Sequence, residues 1–298
     1  MKHKKALAIV AAGALASYNT YKAIGNDMFE RLFKRRNREN DVDQKYLDWI
    51  ASSQALQVKV KSFDGLKLNA YNIRNHENGP YMIMVHGIRA DRSQLYSRAY
   101  AFDKRGYNIL LVDQRASGDS EGDHYTYGLK ESQDLQIWIS YLTKKYPDTK
   151  ICLYGLLSGA STVMMGTAYE LSKNVSCIVE ENGYPSLEEE FAYLIRKDYK
   201  LAVPQPVNKL LEGKMKTKFG MTYADVSAKS CLEKNEIPIL FIQNNMIDLV
   251  SPDSAKILYN HNKGMKKYYS VDADNDVLEN EESDYYKNID SFIRSCME

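Results

Sequence analysis

Residues 151–166, ICLYGLLSGASTVMMG, begin as an apolar strand and turn through glycines and other small residues into a helix. A short, continuously apolar run of this kind is typical of a strand that is covered on both faces of a sheet. This strand, turn and helix are predicted to lie at the centre of the fold.

The turn has the spacing of a motif that presents a nucleophile, but it lacks the nucleophile. Gly155 and Gly159 stand where the pattern G-x-S-x-G has its glycines, and this pattern places a serine on a sharp turn with positive φ. Leu157 stands at the serine position, and its side chain has no atom that can attack a carbonyl. Leucine at positive φ costs on the order of 1–2 kcal/mol. The backbone at Leu157 is therefore expected either to keep this strained conformation or to have relaxed from it.

Ser158 is the alternative nucleophile, one residue away. Its neighbours at two residues' distance are Leu156 and Ala160, and the bulky Leu156 would lie where the turn favours a small residue. We therefore expect the Ser158 hydroxyl to bond to nearby backbone rather than to serve as a displaced nucleophile.

Length and composition favour one α/β domain. The chain has 298 residues, of which 44% are hydrophobic, enough for one sizeable core. The net charge of +1 argues against nucleic acid as a partner of the chain as a whole. Residues 1–38 nevertheless carry nine Lys and Arg against two acidic residues, a net charge of +7, which leaves −6 for the remainder.

The four cysteines show no C-x-x-C spacing. They are interpreted as small buried residues rather than as a disulfide framework or a metal site. No cofactor is predicted, and no group of His, Cys or carboxylate residues shows metal-ligand spacing.

The first 55 residues divide into two segments. Residues 1–22 are basic and then apolar from Ala6 to about Ser17, which is shorter than the roughly 20 residues of a bilayer span. They predict a signal peptide or a short membrane anchor. Residues 23–55 form a basic amphipathic helical segment, in which Phe29, Leu32 and Phe33 recur at helical spacing. Its basic charge and apolar face are typical of segments that contact an anionic membrane surface. The expected localisation is membrane-associated or extracellular.

Residues 56–298 are predicted to form one folded domain. An alternating strand, the turn Asp64-Gly65 and a second strand predict a hairpin, and apolar strands then alternate with helical segments. This order predicts a mostly parallel, doubly wound sheet with antiparallel strands at its N-terminal edge. Residues 186–232 have helical patterning and many aromatic residues, and they predict a helical cap over the pocket. An ordinary long helical connection is the other interpretation.

Residues 57–298 resemble α/β-hydrolases of the serine-aminopeptidase-like and monoacylglycerol-lipase-like group, especially bacterial members with an N-terminal hydrophobic segment. The resemblance is carried by VHG at 85–87, DQRASGDSEG at 113–122, YGLKESQDLQIWI at 127–139 and GASTVMMG at 159–166. It implies the α/β-hydrolase fold.

The resemblance also implies a pocket lined by His86, Gly87 and Leu157. Two backbone N–H groups, those of Ile88 and Ser158, would form the oxyanion hole. His86 is expected to be a structural hydrogen-bonding residue rather than a base. Asp113, Arg115 and Ser120 are expected to hold loops, and this set is not assigned a role in catalysis.

The order of a catalytic triad in this fold is nucleophile, acid, histidine. Aligning the segment before Pro252 on the proline puts Asp248 at the acid position, whereas aligning on Val250 puts Ile247 there. The proline is the firmer anchor, so Asp248 is the predicted acid. Asn275 stands where the histidine belongs, and no histidine follows His261.

Loss of the nucleophile and of the base at two separate places predicts a degenerate triad. The first hypothesis is therefore a non-catalytic module that binds a partner or a small apolar or acyl ligand, since Leu157 makes the floor of the pocket apolar. The second is a serine hydrolase of ester or peptide bonds, of the lysophospholipase or serine-aminopeptidase type, that uses Ser158. The third is a membrane-surface scaffold that acts through its basic N-terminal segment.

Overall fold

The computed structural model describes residues 22–23, 25–35, 42–199 and 205–298. Apart from Lys22, the predicted signal peptide or anchor lies outside these residues. Within the described part of the chain, no helix combines the length and apolar character needed to cross a bilayer.

Eight strands form one sheet in the order β1-β2-β4-β3-β5-β6-β7-β8. The strands are β1 (Leu56–Lys61), β2 (Lys67–Ile73), β3 (Tyr81–Val85), β4 (Asn108–Val112), β5 (Ile151–Leu156), β6 (Val175–Glu181), β7 (Ile239–Asn244) and β8 (Lys266–Val271). β2 pairs antiparallel with β1 and with β4, and all other neighbours are parallel. The predicted mostly parallel sheet with an antiparallel N-terminal edge is confirmed.

Helices cover both faces of this sheet. They are α1 (25–33), α2 (Gln44–Ser52), α3 (Tyr96–Asp103), α4 (Leu129–Lys145), α5 (Ser158–Met165), α6 (Leu187–Tyr199), α7 (Gln205–Phe219), α8 (Ala228–Leu232), α9 (Ser254–His261), α10 (Asn275–Glu279) and α11 (Asp284–Met297). The helix after β5 ends at Met165 and is followed by a 3₁₀ turn at Gly166–Ala168. Thr167 donates a hydrogen bond from Oγ1 to the carbonyl of Met164 (2.7 Å), which satisfies a helix-end acceptor.

Alternate residues of the central strands enter two separate cores. In β3, Ile83 and Val85 pack into one core, and Met82 and Met84 pack into the other. Burial of each such side chain stabilises the fold by about 1.5–3 kcal/mol. The continuous apolar sequence of β3 follows from this burial on both faces.

The N-terminal helix α1 is packed into the domain. Phe29 is 2% exposed and Phe33 is fully buried, and their rings stack at 4.7 Å. Phe33 also packs edge-on against Tyr127 and Phe191, at 5.2 and 5.9 Å, and lies 5.5 Å from Phe219 of α7. Phe29 and Phe33, which belong to the apolar face predicted to contact lipid, are therefore buried in protein.

Helices α6 and α7 occupy the region predicted as the cap. Lys197 of α6 donates a hydrogen bond from Nζ to the carbonyl of Asp248 (2.6 Å), in the loop after β7. This contact places α6 at the carboxyl edge of the sheet. α8 instead packs against α5, so the last residues of the predicted cap belong to the layer that covers the sheet.

A buried carboxylate joins the sheet to two helices. Glu181, at the end of β6, accepts hydrogen bonds from Arg98 Nε (2.9 Å) and Nη2 (2.8 Å), from Tyr285 Oη (2.7 Å) and from Tyr154 Oη. Both Arg98 and Glu181 are almost fully buried. Although burial opposes ionisation, Arg98 and the two phenols hold the pKa of Glu181 below its usual value.

Replacing Arg98 with Met is expected to lower the free energy of unfolding by about 3–5 kcal/mol, because Glu181 then stays buried without its cation. Urea unfolding monitored by circular dichroism measures the change. Arg31→Met is the control, since it breaks an exposed Arg31–Asp27 pair of 2.6 Å and is expected to cost at most about 1 kcal/mol. Equal stability of the two variants would show that the buried pair is dispensable.

Candidate functional site

The turn after β5 has the conformation that presents a nucleophile. Leu157 has a φ of 56° and a ψ of −120°, so the strained state predicted from the glycine spacing is the one observed, and the turn has not relaxed. Its backbone N–H donates to the carbonyl of Glu181 (2.9 Å). Sparsely populated conformations of this kind cost about 1–3 kcal/mol and persist only when the surroundings impose them.

Close backbone approach explains the two glycines of the turn. A Cβ at Gly159 would lie within 3.0 Å of the carbonyl oxygens of Val85 and His86. A Cβ at Gly155 would lie equally close to the backbone of Gly159 and Ala160. Helix α5 can therefore approach β3 and β5 only because both positions lack a side chain.

The side chain of Leu157 lies beside the loop after β3. A Cβ built on Gly87 would lie 3.2 Å from Leu157 Cδ1 and 3.3 Å from Leu157 Cβ, so the loop after β3 and the turn are in contact. The side chain of Leu157 is half-buried and packs against both cores. The floor of the site is accordingly apolar.

Two backbone donors remain beside this apolar floor. Neither the Ile88 nor the Ser158 N–H donates a hydrogen bond to any of the described residues. The neighbouring Gly87 N–H is occupied, because it donates to Gln94 Oε1 (2.7 Å). Ser158 also begins α5, whose N-terminal end favours negative charge.

The side chain of Ser158 differs from expectation. Its Oγ was expected to bond to nearby backbone, but it is buried and has no hydrogen-bond partner among the described residues. The residue is 5% exposed. A serine nucleophile needs a base within hydrogen-bond reach, and the described side chains offer none to Ser158.

His86 has the structural role predicted for it. The Gln114 N–H donates to His86 Nε2 (3.1 Å), so the proton is assigned to Nδ1, which donates to the carbonyl of Gly87 (2.7 Å). Burial lowers the pKa of His86, so the ring is neutral near pH 7. Both ring nitrogens are engaged within the two loops, and His86 is fully buried rather than open to a ligand.

The three residues predicted to hold loops do so. Asp113 accepts from the backbone N–H groups of Arg92 and Asp119, each at 2.9 Å, and Ser120 donates to the carbonyl of Asp113 (2.7 Å). Arg115 binds Asp134 through two hydrogen bonds, of 2.7 and 2.8 Å.

The predicted acid and the residue at the histidine position are engaged differently. The carboxylate of Asp248 is largely exposed and forms an ion pair with Lys197 (2.7 Å), which holds the pKa of Asp248 below its usual value. Asn275 is the first residue of α10 and lines an open depression of about 420 Å³. Ile247, the other candidate for the acid position, lines the same depression, and Asp248 does not.

Sequence reasoning missed the side chains that hold the loops around this depression. Asn244, the last residue of β7, accepts from the N–H groups of Met246 and Ala273 through Oδ1, each at 3.1 Å, and donates to the carbonyl of Ala273 (2.9 Å). Its position at the end of a buried strand was the available signal, since buried amides must find partners.

No metal site emerges from the described residues. No three His, Cys, Asp or Glu side chains among them are placed to hold a metal ion. The four cysteines are free thiols.

Known proteins resemble this chain at low sequence identity. No protein-family model matches it. YqkD, an uncharacterized protein of Bacillus subtilis, is 24% identical over 233 residues, which cover 78% of this chain and 76% of YqkD. The Pyrococcus furiosus esterase Pf2001 superposes with a TM-score of 0.69 at 22% identity, covering 89% of this chain and 98% of the esterase. An α/β-hydrolase from Vibrio vulnificus has a TM-score of 0.60 at 17% identity, covering 87% and 88% of the two chains.

The strand order and these superpositions show that the chain has the α/β-hydrolase fold. At these identities the likeness is one of fold.

Gly159→Ala is expected to lower the free energy of unfolding by about 3 kcal/mol or more, because the new methyl group meets backbone atoms that cannot rotate away. Gly213→Ala is the matched control. Gly213 lies in α7 with open space around a built Cβ, so this change should stabilise the chain by about 0.4–1 kcal/mol. Thermal unfolding of the two variants separates the effects, and a Gly159→Ala variant as stable as Gly213→Ala would contradict the packing argument.

Proposed function

We propose that this chain is a non-catalytic α/β-hydrolase-fold protein that binds an apolar, acyl-containing ligand at the turn after β5. The observation that carries the proposal is Leu157, which adopts the backbone conformation of a nucleophile with a side chain that cannot react. We interpret the triad as degenerate, with Leu157 and Asn275 at two of its positions.

The chemistry of acyl transfer supports this proposal. It requires a nucleophile and a base that takes the proton of that nucleophile. Asn275 has no basic nitrogen, and both ring nitrogens of His86 are occupied. Asp248 is paired with Lys197, and among the described residues no imidazole forms a hydrogen bond or ion pair with it.

The retained backbone donors indicate which end of a ligand binds here. The N–H groups of Ile88 and Ser158 suit a carbonyl or carboxylate oxygen, and the N-terminal end of α5 adds a favourable field for negative charge. The apolar side chain of Leu157 suits the carbon chain. A fatty acid combines the two properties.

Dodecanoic acid is expected to bind the full chain and raise its melting temperature. Ile88→Pro removes one N–H donor, and the affinity should fall roughly 10- to 100-fold, the equivalent of about 1.5–3 kcal/mol for a hydrogen bond to a charged group. Ile88→Val keeps the donor and is the control. Isothermal titration calorimetry measures the three affinities, and absence of dodecanoate binding to the unaltered chain would contradict the proposal.

A serine hydrolase that uses Ser158 is the second candidate. It is favoured by the buried hydroxyl without a partner and by the structural likeness to an esterase. A fluorophosphonate probe, read by intact mass, decides between the two. We expect no adduct, whereas stoichiometric labelling that disappears in Ser158→Ala would put the hydrolase first.

We also propose that the protein is membrane-associated or extracellular, on the charge and apolar character of its first 38 residues. Because Phe29 and Phe33 are buried, contact of α1 with lipid would rest on basic side chains. The full chain is then expected to sediment with anionic vesicles at low salt and to be released as salt screens the charges. Vesicles of neutral lipid are the control, and equal sedimentation with both would contradict an electrostatic attachment.

A further inference from the structure

Three of the four cysteines meet in one place, beneath the C-terminal helix α11. Cys152 of β5 and Cys177 of β6 are register partners on neighbouring parallel strands, and both are fully buried. Cys296 of α11 packs against the same core. The thiol of Cys177 interacts with the thiols of both Cys152 and Cys296. The three side chains therefore form one thiol cluster.

The packing of α11 along β6 accounts for the contact between Cys177 and Cys296. Tyr285, in the first turn of α11, donates to Glu181 at the end of β6 (2.7 Å). Cys177 lies four residues before Glu181 on the same face of β6, about 13 Å along the strand. Cys296 lies eleven residues after Tyr285, close to three full turns and about 17 Å along the helix. The helix and the strand are thus in contact at both ends.

The thiol cluster can be reached from solvent through one member. Cys152 and Cys177 are buried, whereas Cys296 is partly exposed. Cys231 is also partly exposed, but it packs against the other core, and its thiol donates to the carbonyl of Ser227 (3.3 Å). A reagent in solution therefore meets the cluster at Cys296, and Cys231 provides a thiol of similar exposure outside it.

Covalent bonding is the chemistry that this contact allows. Among the described residues, the thiols are not placed to hold a metal ion together. A disulfide needs two cysteines whose sulfur atoms already lie close to each other, as those of Cys177 and Cys296 do. Hydrogen bonding to Cys177, and then burial, raise the pKa of the Cys296 thiol above its usual value, so reaction through its thiolate is slow near neutral pH.

We propose that Cys177 and Cys296 form a disulfide when the chain meets a small-molecule disulfide such as oxidised glutathione. The thiolate of Cys296 attacks one sulfur of the reagent, the reagent's S–S bond breaks, and one glutathione leaves with the proton of Cys296. Cys177 then attacks Sγ of Cys296, and the second glutathione leaves with the proton of Cys177. Two cysteines are oxidised, and one molecule of the reagent is reduced to two thiols.

The new bond would join α11 to β6 at the end opposite Tyr285 and Glu181. Because the carbonyl of Glu181 also receives the N–H of Leu157, the two linked elements are those that support the turn after β5. Disulfides form and persist in oxidising compartments, so this modification fits the membrane-associated or extracellular location proposed above. It does not depend on the proposed ligand.

The test incubates the full chain with oxidised glutathione at mildly alkaline pH, then denatures it in N-ethylmaleimide and measures the intact mass. Two of the four thiols are expected to escape labelling, with no glutathione retained, and peptide mapping should recover a link between Cys177 and Cys296. Because this link closes a long loop of the unfolded chain, it should raise the melting temperature by at least about 5 °C.

Two variants separate the proposed pair from the other thiols. Cys296→Ser should leave its three remaining thiols fully labelled after the same treatment. Cys231→Ser is the matched control and should still form the link. Complete labelling of the unaltered chain, a stable glutathione adduct on Cys296 beside a labelled Cys177, or a link that survives Cys296→Ser would each overturn the inference. So would a linked chain that melts no higher than the reduced chain.

Discussion

The ion pair between Arg98 and Glu181 is the contact on which the geometry of the site depends. The carboxylate of Glu181 ties β6 to α3, to α11 and to Tyr154 of β5, and its backbone carbonyl receives the N–H of Leu157. Relaxing this arrangement would expose a buried charge or leave it uncompensated, which is costly. The strained backbone of Leu157 is held by the same residue. This hydrogen bond is made by the backbone, so a different side chain at position 157 would not remove it.

The proposed site combines groups of two kinds. The groups proposed to hold an acyl oxygen are backbone N–H groups in the loop after β3 and in the first turn of α5. The groups that would react in a hydrolase are side chains, which a substitution can remove while the backbone N–H groups remain. Under the proposed function, Leu157 and Asn275 are substitutions of this second kind. A chain that keeps the first set and lacks the second retains the means to bind an acyl group.

Local sequence patterns predicted most of the sheet, because strands buried on both faces leave a continuous apolar sequence and the glycine spacing around Leu157 allows one sharp turn. Other features depend on residues far apart in the chain. The ring contacts of Phe33 with Phe191 and Phe219 are not visible in the amphipathic pattern of α1, which fits burial in protein as well as contact with lipid. The placement of Ile247 in the depression beside Asn275, and of Asp248 beside Lys197, likewise depends on how the loop after β7 meets α10 and α6.

The packing of α1 also sets an order of events during synthesis. Phe29 and Phe33 leave the ribosome early, but their partner Phe219 is made much later. At about 5–20 residues per second, the interval is on the order of ten to forty seconds. During this interval, the two aromatic rings of α1 lack the contact with α7 that buries them, because α7 has not been synthesised. Completion of α7, rather than emergence of the N-terminus, is the step that closes this part of the core.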